Sequence, residues 1–293
     1  MDSPDLGVQF VPTRRFDTYP AIDPAKANLK DKVVLITGAS RGIGKVIATS
    51  FTQAGVSGLI LLARSDLTDT KSACEAAKRP GQSLKVLTIT ADTSRPEQIS
   101  SAFEKIRETF ERLDIVVNNA GYLAEYDLIA DSDLDQVWQT WAVNMLGTYA
   151  MTRAALPWLI ESGGDKTIVN VGSLAGLMKL PKLSAYNTSK LALLRFTELT
   201  MVEYGDKGVL AHFVHPGLID TGMAAKVPFR ARGGGIPPYD TPELAAHTIV
   251  WLVSERRDWL AGRYVSAQWD MEELSAKEQE IVDGDKLKVK MVV

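Results

Sequence analysis

Tyr186 and Lys190 stand four residues apart, with Ser173 upstream of the tyrosine and Asn144 further upstream still. A tyrosine followed at that spacing by a lysine turns up by chance in roughly one of two chains of this composition, so its surroundings decide whether the pair matters. Residues Ala185 to Tyr204 read as a helix, which puts positions 186 and 190 on one face, one turn apart. A free phenol titrates near pH ~10. A neighbouring ammonium favours the phenolate and lowers that value, so the pair can exchange a proton with a substrate oxygen near neutrality. Ser173, just past an apolar run, can hydrogen-bond the same oxygen and stabilise negative charge on it. Asn144 falls in the middle of a helical pattern, where asparagine is a poor former, with Gly147 just beyond. If the helix bends there, its amide could hold a water against Lys190. The bland alternative is a packed tyrosine–lysine pair whose lysine stem snorkels to solvent.

Such groups need a frame. The most telling stretch is Thr37-Gly38-Ala39-Ser40-Arg41-Gly42-Ile43-Gly44. Before it, Val33 to Ile36 reads as a short buried strand; after it, Lys45 to Ala54 has its apolar residues on one helical face. The glycines therefore sit in a tight strand-to-helix turn. There a missing Cβ lets backbone approach a diphosphate, and the helix N-terminus offers free N–H groups and positive potential. The spacing is G-x-x-x-G-x-G rather than G-x-G-x-x-G.

From Lys32 onward strands and helices alternate. Strand patterns fall at Leu59–Leu62, Val86–Ile89, Ile115–Val117, Thr167–Val171, Val209–Val214 and Tyr264–Val265. Helical ones fall at Asp66–Lys78, Pro96–Phe110, Val137–Ile160 (with a possible break near Asn144–Gly147), Ala185–Tyr204 and Pro242–Val253. This alternation predicts an α/β fold: one Rossmann-like, doubly wound parallel sheet spanning residues 30–268. Ligands of such sheets bind beyond the carboxyl ends of the strands, at the switch in strand order. Residues 1–29 hold four prolines and little periodicity and read as an extended arm, which Phe10, Phe16 and Tyr19 could anchor. Residues 269–293 form a charged extension with a helical Leu274–Ile281 pattern.

The glycine turn, Asn118-Asn119-Ala120-Gly121 after the fourth strand, and the set Asn144, Ser173, Tyr186 and Lys190 together resemble the short-chain dehydrogenase/reductase family. The resemblance runs from about Lys32 to Gln268. It implies a carbonyl–alcohol interconversion by hydride transfer with a nicotinamide cofactor, the four residues forming the catalytic tetrad. Gly38, Ser40, Arg41, Gly42, Ile43 and Gly44 would cradle the cofactor. Asn119 and Gly121 would lie along it, Asp92 would touch the adenine or else cap a helix, and Tyr186 and Lys190 would meet the nicotinamide ribose. Thr221, beyond His215-Pro216-Gly217, would bind the carboxamide, with the Ile219 backbone nearby. The family more often has asparagine where His215 stands, a difference confined to loop bracing. After the second strand Ala63 occupies the place of the acid that selects NAD, and Arg64 follows it; with Arg41 this favours the 2′-phosphate of NADP(H). Asp66, two positions on, weighs the other way. Family members commonly form dimers and tetramers through the helices bearing the tetrad.

Composition is that of an ordinary soluble protein: 45% apolar, 24% charged, net charge −3. Lysines and arginines are scattered, so no nucleic-acid surface is expected. No apolar run is long enough for a membrane span, a lone Cys74 allows no internal disulfide, and His215 is no metal-ligand candidate, because His212 and His247 show no metal-site spacing and no acid cluster accompanies them. A cytoplasmic enzyme with a small-molecule substrate is the expectation. The irregular stretch Leu218–Tyr239, with Met223, Val227, Phe229 and Gly233–Gly235, reads as a lid. Leu174, Met178, Leu180, Leu183, Tyr122 and Leu123 either line a pocket for an apolar, medium-sized ketone or belong to the core. Other readings are an NAD-dependent alcohol dehydrogenase, a tailoring reductase of secondary metabolism, and a non-catalytic NADP-binding regulator.

Overall fold

The computed structural model describes residues 6–223 and 240–291. Seven strands form one parallel sheet: β1 (Val33–Thr37), β2 (Gly58–Ala63), β3 (Lys85–Thr90), β4 (Ile115–Asn118), β5 (Thr167–Val171), β6 (Leu210–His215) and β7 (Tyr264–Ser266). Their order is β3-β2-β1-β4-β5-β6-β7. All but edge strand β3 are buried along their whole length. This explains why they read as unbroken apolar runs rather than alternating ones. The order reverses between β1 and β4, which pair with Val34 opposite Ile115 and Ile36 opposite Val117. The cleft there is the natural ligand position.

The helices are α1 (Gly42–Gln53), α2 (Thr68–Ala76), α3 (Pro96–Thr109), α4 (Leu134–Trp141), α5 (Thr148–Glu161), α6 (Ser184–Tyr204), α7 (Pro242–Ser254), α8 (Met271–Ser275) and α9 (Glu278–Asp283). One apolar cluster, including Ile47 and Phe51 of α1 and Ile249 of α7, covers one face of the sheet. A second, including Ile99, Phe103 and Ile106 of α3 and Met151 and Leu159 of α5, covers the other. Each fully buried side chain of this size contributes ~1.5–3 kcal/mol.

The helix expected over Val137–Ile160 starts three residues earlier, because Asp133 caps it by accepting from the N–H groups of Asp135 and Gln136. The break within it is a π-helical turn over Ala142–Gly147 that joins α4 to α5 without an interruption of the helix. Gly147 is needed there: a Cβ would lie 2.9 Å from the Thr93 carbonyl oxygen.

The N-terminal arm and the C-terminal extension pack on each other. Arg14 bridges antiparallel to Trp269, Thr13 donates through backbone and hydroxyl to Glu273, and Arg15 pairs with Asp270 at 2.7 Å. Val11, Ile22 and Leu29 of the arm are buried with Trp269, Met271, Leu274 and Ile281 of the extension in the same cluster as α1 and α7. Phe10 packs on the Trp269 ring at 5.4 Å and Tyr19 is buried, so two of the three expected anchors hold the arm; Phe16 is half-buried. The helical pattern over Leu274–Ile281 resolves into two short helices.

Candidate active site

The glycine turn lies at the carboxyl end of β1, beside the switch in strand order. Gly38 has φ +65° and Gly42 φ +55°, backbone that a side chain disfavours. A Cβ on Gly38 would lie 2.9 Å from Ala120 Cα, and one on Gly44 would run into the Gly38 carbonyl oxygen and the Asn119 amide. The turn is thus pressed against the loop after β4. Thr37 Oγ1 accepts from the N–H groups of Asn119 and Ala120, and Asn119 Nδ2 donates to the carbonyls of Thr37 and Gly38 at 2.9 and 3.2 Å. Below it Asn118 Nδ2 donates to Asn170 Oδ1, whose own amide donates to Thr197 on α6. This buried polar ladder locks β4, β5 and α6 in register.

At the start of α1, Arg41 takes the capping position in extended conformation, and no side chain caps the helix. By contrast α4, α7 and α8 are capped by Asp133, Thr241 and Asp270. The first turn of α1 keeps its N–H groups and positive end available, in a cradle that any added Cβ would fill. These residues fit a dinucleotide diphosphate.

The tetrad converges. Ser173 follows β5 by way of Gly172, whose missing Cβ makes room for the Phe213 ring. The Ser173 hydroxyl accepts from Ala175 N–H at 3.1 Å and lies close enough to the Tyr186 phenol to oppose the effect of burial on it. Lys190, buried, donates from Nζ to the Val171 carbonyl at 2.9 Å and lies 5.7 Å from the Tyr186 ring centroid. Burial pushes the Lys190 ammonium down to about 8. Burial also raises the Tyr186 phenol, against a lowering by the Ser173 hydroxyl. The protein alone therefore holds Tyr186 protonated.

Asn144 sits in the π-helical turn, buried, one helix away from Lys190. Its Nδ2 donates to the Tyr122 carbonyl and to Ser189 Oγ, each at 3.0 Å, and its Oδ1 accepts from Tyr122 N–H at 2.8 Å. Both amide protons are committed to the protein, so the amide braces this turn against the loop after β4 and the helix of Lys190. The sequence points to Tyr122 only as a pocket-lining candidate and not to Ser189, at which only the helix register beside Lys190 hints.

The loop after β6 forms the opposite wall. A Cβ on Gly42 would find Thr221 Cγ2 at 3.8 Å, which sets Thr221 beside the glycine turn. Ile219, buried, bridges to Asp240. His215 is more than loop bracing: its Nδ1 accepts from Leu174 N–H at 3.2 Å and so ties the Ser173 turn to this loop. Burial, helped by the Arg14 charge, lowers His215 to about 3, and the ring is neutral. A Cβ on Gly121 would lie 3.6 Å from Asn144 Oδ1 and 3.5 Å from the Met223 methyl group.

At the end of β2, Arg64 is exposed with Nη1 3.6 Å from Asp92 Oδ2. Asp92 also accepts from the N–H and hydroxyl of Ser94, and these bonds with the Arg64 charge hold its carboxyl below the usual range despite partial burial. Asp92 does not cap α3, whose capping residue is Arg95. Arg41 is exposed, and Asp66 accepts from Thr68 Oγ1.

A pocket opens beside Tyr186. Leu123 and Leu183 line it, together with Val137, Glu125, Asp127, Asp133, Gln136 and Lys182. Leu174 packs instead against the core, and Tyr122, Met178 and Leu180 are not among the lining residues. The expected lid residues 224–239 lie outside the described residues. Among the described residues no group of three or more potential metal ligands occurs, and no helix is long and apolar enough to cross a membrane.

A glycine turn at the switch point, with a tyrosine–lysine helix across the cleft, defines a dinucleotide-dependent oxidoreductase. Residues 32–230 match the family model for short chain dehydrogenases. The chain is 46% identical over 292 residues to the short chain dehydrogenase citE of Monascus ruber, spanning 99% of each. It is 42% identical over 288 residues to the short chain dehydrogenase andI of Emericella variicolor, spanning 97% of each. The chain belongs to the short-chain dehydrogenase/reductase family, enzymes that use nicotinamide cofactors. Among solved structures, carveol dehydrogenase from Mycobacterium avium in complex with NAD shares the fold with a TM-score of 0.74 at 20% identity, over 82% of this chain and 97% of that one. An alcohol dehydrogenase from the archaeon Thermococcus sibiricus, complexed with 5-hydroxy-NADP, gives 0.68 at 26% identity, over 81% and 96%. One neighbour holds NAD and the other an NADP derivative, so the choice between them rests on this chain's own residues.

Proposed function

We propose that this chain is an NADP(H)-dependent oxidoreductase that reduces a medium-sized ketone to an alcohol, with Asn144, Ser173, Tyr186 and Lys190 as its catalytic residues. The observation that carries the reading is the convergence of the Ser173 hydroxyl and the buried Lys190 on Tyr186, with Lys190 Nζ 5.7 Å from the centroid of its ring. Ser173 and Tyr186 present two O–H groups to one point in the cleft, where a carbonyl oxygen would take both. The nicotinamide, when bound, supplies the hydride. Tyr186, kept protonated by burial, gives its proton to the oxygen as negative charge develops there. Ser173 stabilises that charge by donating its own hydrogen bond. The Lys190 cation then offsets the phenolate left behind. In the oxidative direction the same groups run in reverse, and the phenolate acts as base.

Gly38, Ser40, Arg41, Gly42, Ile43 and Gly44 would hold the diphosphate and adjacent groups, with Asp92, Asn119 and Gly121 alongside. Ile219 and Thr221 would meet the nicotinamide end. Arg64 and Arg41 would take the 2′-phosphate: both are exposed beside the turn, and Ala63 leaves the usual place of an NAD-selecting acid empty of charge. The mixed lining of the pocket supports a substrate with an apolar body and hydrogen-bonding substituents. Full-length kinship to fungal short chain dehydrogenases favours, within this reading, a tailoring reductase of secondary metabolism. Exposed Leu134, Trp138, Tyr149, Leu199 and Val202 on α4, α5 and α6 support self-association. The buried, unpaired Cys74 is compatible with a reducing cytoplasm.

The test is a panel of aryl and alkyl ketones with NADPH, wild type against Tyr186→Phe. Turnover by the wild type and a loss of at least ~100-fold in the variant, with cofactor binding kept, support the reading. Equal activity in both would end it, and so would an unchanged cellular role for the Tyr186→Phe chain, which points to a binding regulator.

A further inference from the structure

A buried polar chain runs from the N-terminal arm to the loop that carries Ile219 and Thr221. Arg14 Nη2 donates to Gln268 Oε1 at 3.0 Å, and Gln268 Nε2 donates to Asp240 Oδ2 at 2.7 Å. The same Asp240 oxygen accepts from Leu218 N–H at 2.5 Å, while Asp240 N–H donates to the Leu218 carbonyl at 3.0 Å. Asp240 is buried and so is Gln268. Gly217 adopts φ +97°, and a Cβ there would collide with the Asp240 carboxylate, so the loop can pass only as glycine. The arm grips the same place twice more: Thr241 N–H donates to the Phe16 carbonyl and its hydroxyl to Asp17, both outside the buried chain.

This wiring is costly. Arg14 Nε and Asp240 Oδ1 are buried with no hydrogen-bond partner among the described residues, and each such group costs ~1–3 kcal/mol. Fold stability alone would be served as well by apolar residues at these positions. Arg14, Asp240 and Gln268 also all lie outside residues 32–230, the part of the chain that matches the family model.

We propose that Arg14, through Gln268 and Asp240, is a positioning residue for the Gly217–Thr221 loop, making the N-terminal arm a determinant of how the nicotinamide half of the cofactor is held. This rests on the dinucleotide reading above, in which Ile219 and Thr221 face that half. The arm sets the loop's backbone by fixing both the N–H and the carbonyl of Leu218, three residues before Thr221. The adenine half, held by the glycine turn and the end of β2, is untouched by this chain of bonds.

The experiment compares the full-length wild type with Arg14→Met, which keeps the apolar stem, and Arg14→Lys, which restores a donor. Each is titrated with NADPH and with 2′-phospho-ADP-ribose, which lacks the nicotinamide, and amide hydrogen exchange is followed over residues 214–223. Arg14→Met should weaken NADPH about tenfold, leave the nicotinamide-free fragment within about twofold, and speed exchange at Leu218; Arg14→Lys should recover part of the loss. Equal weakening of both ligands would make Arg14 merely structural and overturn the proposal. Unchanged NADPH affinity and exchange in Arg14→Met would overturn it while leaving the dinucleotide reading intact. Failure of the wild type to bind either ligand would overturn both.

Discussion

Asn144 pairs with the backbone of Tyr122 as a neighbouring strand would, accepting from its N–H at 2.8 Å and donating to its carbonyl at 3.0 Å. The remaining amide proton goes to Ser189 Oγ at 3.0 Å. One side chain thus joins the loop after β4, the π-helical turn and the helix of Tyr186 and Lys190. Asn144→Ala removes these three hydrogen bonds, each worth ~0.5–1.5 kcal/mol. Urea unfolding should read that loss. Asn144→Asp, which keeps the shape but loses both donated bonds, should be no better.

Lys190 sets an alkaline limit. Burial lowers it to about 8, so in the free enzyme the cation is present below that pH and lost above it. Tyr186, raised by burial, stays protonated over the same range. For carbonyl reduction kcat/KM should therefore be flat below about pH 8 and fall above it. Lys190→Met should be far less active and lack that limb. A profile in the wild type that rises through pH 8 would show that the cation is not needed.

His215 accepts the Leu174 N–H through Nδ1, which requires a neutral ring with its proton on Nε2. His215→Phe orphans that amide next to Ser173 and should lower kcat more than it raises KM. His215→Asn, which can still accept, should keep more activity. Acid also acts here. Burial lowers His215 to about 3 and His212 to about 4, so the folded state binds fewer protons than the unfolded between those values and pH ~6.5. Stability should fall as pH drops through that window. The melting temperature of His215→Asn should fall less steeply between pH 6.5 and 4 than that of the wild type.

Gly44 tests the cradle. Its Cβ would meet the Gly38 carbonyl oxygen in the turn after β1 and the Asn119 amide in the loop after β4, which hydrogen-bond each other. Gly44→Ala should therefore abolish dinucleotide binding and lower the melting temperature. Gly222, around which a Cβ has open space among the described residues, is the control: Gly222→Ala should leave the melting temperature unchanged.

The sheet and the tetrad were legible because their signals are local. Four-residue apolar runs, Val33–Ile36 and Leu59–Leu62, buried on both faces mark β1 and β2, and a helix register puts Tyr186 over Lys190. The bonds of Ser189 and Tyr122 to Asn144 escaped because they join segments 45 and 22 residues away, one through backbone, which carries no residue signature. The arm and the extension read as separate tails for the same reason. Thr13 and Glu273 meet across 260 residues of chain, and nothing in the periodicity of either announces its partner. Position 215 could be read as a departure from the family pattern, but the bond it makes depends on how closely the turn after β5 approaches β6.

The central claim is a nicotinamide cofactor bearing a 2′-phosphate, delivered to Tyr186. The most direct measurement is a titration of the purified chain with NADPH and with NADH, repeated on Arg64→Ala and Arg41→Ala. NADPH should bind at least tenfold tighter, about 1.4 kcal/mol, and at least one variant should lose that margin while keeping its affinity for NADH. Equal or tighter binding of NADH would contradict the assignment of both arginines and turn attention to alcohol oxidation. Binding of neither would contradict the enzyme itself.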